Sequence, residues 1–96
     1  MRLGRFVKTP NEVKRYTIEY ADWLDTGEFC ASIVLTKLSG AGALVLSANA
    51  IPASSTAVDF FVSGGTDGED YEVAARMTTT ANQVKEDSIL FVVRAL

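Results

Sequence analysis

Apolar and polar side chains alternate over residues 14–20: Tyr16, Ile18 and Tyr20 take one side, Arg15, Thr17 and Glu19 the other. Successive side chains of an extended chain point to opposite faces, so this two-residue period predicts a half-buried strand. The same alternation returns at Tyr71, where Tyr71, Val73, Ala75 and Met77 oppose Glu72, Ala74, Arg76 and Thr78. Residues 29–36 are apolar almost throughout, and apolar runs at residues 43–48, 56–63 and 87–94 complete the series. Turn-forming segments separate them, the plainest being Gly64-Gly65-Thr66-Asp67-Gly68. Short strands punctuated in this way predict an all-β sandwich, and no segment carries the 3.6-residue stripe of a helix.

A chain of 96 residues has room for one two-layer core and no second lobe. Pro10 supplies no backbone donor and biases Thr9 away from helix. Residues 1–10 are therefore expected as an extended N-terminal arm and residues 11–96 as a single β-sandwich domain. Asp22-Trp23-Leu24 reads as a short turn that tucks Trp23 under one end of the sandwich as a structural plug. The glycine-rich turn before Tyr71 resembles the corner of immunoglobulin-like domains, where a tyrosine opening a late strand returns its hydroxyl to backbone a few residues upstream. Gly68 and Tyr71 are the expected corner residues. The expected fold class is thus an immunoglobulin-like or fibronectin III-like antiparallel β-sandwich of six to seven strands.

Charge changes this picture at one end only. Arg2, Arg5, Lys8, Lys14 and Arg15 against Glu12 give the first fifteen residues +4, which leaves −7 for the rest of a chain whose net charge is −3. A basic arm on an acidic body suits an acidic protein surface better than nucleic acid, since no aromatic-plus-basic face accompanies it. Export and membrane insertion are not expected either, because the start lacks the build of a signal peptide and the longest apolar stretch, residues 41–57, is broken by polar residues and proline.

Candidate chemistry is sparse. The chain has no histidine and one cysteine, so a histidine-based triad, histidine metal ligation and an internal disulfide are excluded. Cys30 sits in an apolar run and is expected as a buried, inert thiol. Asp67, Glu69 and Asp70 share one turn and Asp22, Asp25 and Glu28 another, but neither has the spacing of a calcium loop, and both are expected as solvated turn acids. Ser63-Gly64-Gly65 lacks the nucleophile-elbow spacing, and Gly64-Gly65-Thr66-Asp67-Gly68 lacks the lysine of a phosphate loop. A non-enzymatic protein without catalytic residues, metal, cofactor or small-molecule substrate is expected.

Three segments in order carry a family resemblance: Lys8-Thr9-Pro10-Asn11-Glu12, then Tyr16-Thr17-Ile18-Glu19-Tyr20 with Asp22-Trp23-Leu24, then the stretch from Phe61 through Ser63-Gly64-Gly65-Thr66 to Tyr71. Together they resemble small virion structural proteins of tailed bacteriophages. The resemblance implies a structural virion protein, first of all a capsid decoration or cement protein, with a head-tail junction, tail-associated or fibre-associated component as the alternative. It implies partners among other virion proteins, the major capsid protein or neck and tail proteins, in multiple symmetric copies, and no nucleic acid or membrane. The arm is the expected docking element, with Arg2, Arg5 and Lys8 meeting acidic groups while Leu3, Phe6 and Val7 fill a groove on the partner. An immunoglobulin-like adhesion module for carbohydrate or a host surface remains the reading from a different class, with Tyr20, Trp23 and Phe61 as its candidate aromatics.

Overall fold

A computed structural model describes residues 2–96, with the side chain of Arg2 outside the description. Seven strands run in chain order: β1 (Arg2–Lys8), β2 (Lys14–Glu19), β3 (Cys30–Ser39), β4 (Leu44–Ala48), β5 (Ala57–Gly64), β6 (Asp70–Thr79) and β7 (Val84–Val93). They form a four-stranded sheet, β1-β7-β6-β3, facing a three-stranded sheet, β2-β5-β4. Only β4–β5 and β6–β7 are neighbours in both sequence and space, so every other connection crosses from one layer to the other.

The two inner faces supply the core. Val58, Phe60 and Val62 of β5 meet Tyr71, Val73, Ala75 and Met77 of β6 and Ile89, Phe91 and Val93 of β7, all buried. These are alternate residues along each strand, and full burial of side chains of this size contributes roughly 1.5–3 kcal/mol each. Cys30 is buried against the same cluster, and burial pushes its thiol above the ordinary value.

Tyr71 closes one end. Its hydroxyl accepts from the Thr66 backbone N–H at 2.8 Å and donates to the Ala41 carbonyl, joining the 64–70 turn to the loop after β3. Gly40 of that loop has a φ of +112°, and a Cβ there would stand 2.5 Å from the Tyr71 ring, so only glycine fits. Gly68, with a φ of +88°, has open space around it and donates its N–H to the Val93 carbonyl at 2.9 Å.

Three expectations are corrected. The arm is a strand: Arg2–Lys8 pairs with β7, and the pairing is parallel where an antiparallel sandwich was expected. Met1 lies outside the described residues. The second correction concerns Trp23, which is no plug. The turn bonds from Trp23 N and Leu24 N to the Tyr20 carbonyl roll Tyr20 inward, to 2% exposure, and leave Trp23 36% exposed. Third, Glu28 is a buried acid. Its carboxylate accepts from the Thr79 hydroxyl and from the Asp25 N–H, tying the β2–β3 loop to the β6–β7 turn.

Candidate partner-binding surface

β1 and β2 lie at the same flank of the sandwich but in different sheets, and no ladder joins them. Their inward side chains therefore line an opening between the layers. Phe6 leans on Tyr16 with ring centroids 4.9 Å apart, and Tyr16 in turn contacts Phe91 at 5.1 Å and Phe60 at 5.9 Å. This aromatic chain runs from the flank into the core, and offset or tilted rings of this kind add to the stability of simple burial.

Two cavities open along the flank. One, of about 220 Å³, is walled by Leu3, Phe6, Tyr16, Ile18 and Ile89. The other, of about 300 Å³, is walled by Leu3, Ile18, Tyr20, Trp23 and Lys85. Leu3, Ile18 and Glu19 border both, so the two are compartments of one groove. The Lys85 ammonium lies 5.6 Å from the Trp23 ring centre, a cation–π distance that steadies the exposed indole.

Electrostatics divide the groove into a dry floor and a charged rim. The Tyr20 hydroxyl is buried with no hydrogen-bond partner among the described residues. Burial raises the phenol well above its ordinary value, and nearby Asp87 and Cys30 push the same way. Tyr16 is raised too, by burial first and Glu12 second. The charged residues that line the groove are Glu19, Asp22 and Lys85, whereas Arg5 and Arg15 are exposed on the outer faces of the two sheets. The Glu12 carboxylate accepts from the Thr9 N–H at 2.7 Å, which holds its pKa below the usual value.

The six arm residues are thereby divided. Leu3 and Phe6 wall the groove, while register places Arg5 and Val7 on the outer face of the sheet opposite Leu90 and Val92. Lys8 departs from its expected role, for its ammonium turns inward and donates to the Thr9 and Gly64 carbonyls, both at 2.6 Å. Burial lowers its pKa, against the opposing pull of Glu12 and Tyr71. Such a cation is unavailable to a partner. Sequence reasoning missed Tyr16 and Lys85 as groove residues. The alternation marked Tyr16 only as inward, and nothing local to Lys85 ties it to Trp23.

The three aromatics of the adhesion reading do not share a face. Tyr20 is buried, Trp23 stands at the groove end, and Phe61 is on the outer face of the three-stranded sheet, in register with Arg15 and Ser47. Among the described residues, no group of three His, Cys, Asp or Glu side chains is placed to hold a metal ion.

The two-layer sandwich thus carries an apolar groove open along one flank. The chain belongs to the family described as Podophage GP4 fiber-tail adaptor protein gp77, whose sequence model matches residues 8–92. It is thus a structural protein of a tailed-phage virion. The match supports a tail-associated structural role, the alternative expected from the sequence, and gives no support to capsid decoration. Compared with curated proteins, the chain finds no match. The matched residues begin at the last residue of β1, so the Leu3 and Phe6 wall lies outside them.

Proposed function

We propose that the protein is a non-catalytic adaptor joining a fibre to the tail of a podophage virion, and that it grips one of these partners through the groove between β1 and β2. The observation that carries the reading is an open, largely apolar groove whose charged lining residues are Glu19, Asp22 and Lys85. It suits an extended segment with apolar anchors, because buried apolar side chains supply affinity. The family description, an adaptor between fibre and tail, supports a purely structural role. Strand order and the Tyr71 corner further support an immunoglobulin-like class for the sandwich.

Trp23 is the sole tryptophan and borders the groove, so it reports occupancy directly. Titration with the purified tail or fibre protein of the same phage is expected to shift Trp23 emission to shorter wavelength. Leu3→Ser should weaken that partner about tenfold, roughly 1.4 kcal/mol, through lost apolar burial. A partner that binds both chains equally and leaves the emission unchanged docks elsewhere.

A further inference from the structure

The groove is not uniform along its length. In the compartment walled by Phe6, Tyr16, Phe60 and Ile89, Glu19 is the charged lining residue. The compartment at the other end combines the apolar Leu3 and Ile18 with the Trp23 indole and with Glu19, Asp22 and Lys85. Lys85 is already neutralised there, since its ammonium lies 3.3 Å from the buried Asp87 carboxylate. Glu19 and Asp22 are exposed, and neither is in an ion pair with a described residue. The Glu19 carboxylate accepts from the neutral Ala21 N–H at 2.9 Å, a bond that leaves its charge in place. The uncompensated charge of the groove is therefore negative, and it is concentrated at the Trp23 end.

Resting on the reading of the groove as the partner site, we propose that its occupant is an extended segment of the partner protein with a basic side chain, arginine or lysine, in the Trp23 compartment and an apolar side chain two residues away in the Phe6 and Tyr16 compartment. Charge selects the basic group. An acidic one would meet Glu19 and Asp22, and would find the Lys85 ammonium already held by Asp87. Shape selects a long side chain, because lysine and arginine bury their stems along apolar surface while the charged head stays in water. That matches a compartment walled by Leu3, Ile18 and Trp23 and bordered by exposed carboxylates. A guanidinium also stacks on an aromatic face and pairs a carboxylate through two N–H donors. Arg5 and Arg15 stand on the outer faces of the two sheets, so neither lines the groove to oppose such a group. Leu3, Ile18 and Glu19 border both compartments, which makes them neighbours. An extended chain turns every second side chain to the same face, about 7 Å apart, so one segment can fill both.

The full chain is titrated, by Trp23 emission, with the purified tail and fibre proteins of the same phage, and then with overlapping synthetic peptides of whichever one binds. Asp22→Lys, at an exposed position, should weaken the bound protein at least tenfold while the thermal midpoint stays unchanged. Added salt should weaken the unaltered chain more than Asp22→Asn, because the ion pair it screens is missing from the variant. The binding peptide should hold arginine or lysine two residues from an apolar side chain. Replacing that basic residue by glutamate should abolish binding to the unaltered chain and restore it to Asp22→Lys. Leu3→Ser separates this proposal from the reading it rests on. If Leu3→Ser weakens the partner while Asp22→Lys leaves it unchanged or strengthens it, the groove is the partner site and a basic occupant is overturned. If neither protein binds, or one binds with both substitutions without effect, the groove reading and the basic occupant fall together.

Discussion

At the scale of single residues, Tyr71 holds more of the structure than its size suggests. Its ring lies against Gly40 and its hydroxyl joins two loops, the one after β3 and the one between β5 and β6. Tyr71→Phe keeps the ring and leaves the Thr66 N–H and the Ala41 carbonyl without their partner. That change should cost about 1–2 kcal/mol, the net value of buried hydrogen bonds with an unsatisfied group left behind. In a domain of this size the thermal midpoint should fall by roughly 5–10 °C, read by calorimetry. An unchanged midpoint would show that water replaces the hydroxyl at no cost.

At the scale of elements, β1 is where structure changes the expected experiment. As a loose arm, residues 1–9 are dispensable to the fold. As the outer partner of β7 they cover an edge, place Phe6 on the Tyr16 and Phe91 rings, and anchor Lys8 at Gly64. Deleting them should lower the thermal midpoint by at least about 5 °C, on the order of 1 kcal/mol, and expose β7 to solvent exchange. A deletion chain as stable as the full one would return β1 to the status of an appendage.

At the scale of the whole molecule, pH tests the buried acids and phenols together. Hydrogen bonds from Thr79 and Asp25 hold Glu28 below the model-peptide value of 4.5, against an opposing push from burial. A carboxylate depressed in the fold contributes stability that is present above its unfolded value and lost as pH falls through the folded one. The midpoint should therefore drop as pH descends below 4.5, and Glu28→Gln should flatten that limb. Tyr20 works in the opposite sense. Its folded value is raised, so its contribution is complete below the unfolded value of 10.0 and declines as pH climbs past it. Tyr20→Phe should remove that alkaline decline. A pH–stability profile insensitive to both substitutions would assign the slopes to other groups.

Much of this was legible in the chain. The alternation from Tyr71 to Met77 marks the inward face of β6, and Gly40, Gly64 and Gly68 mark turns where φ is positive. These are local properties, set by the two-residue period of a strand and by the freedom of a residue without Cβ. The sandwich and its central core follow from them. What tertiary structure alone decided is which strand lies beside which, and thereby which side chains are hidden. Parallel pairing of β1 with β7 joins segments more than eighty residues apart and turns Lys8 inward. The contact of Glu28 with Thr79 bridges 51 residues, which converts a turn acid into a buried one. Rotation of one turn exchanges Tyr20 for Trp23 at the end of the core. None of these has a local signature, because each depends on a partner brought near only once the two layers close.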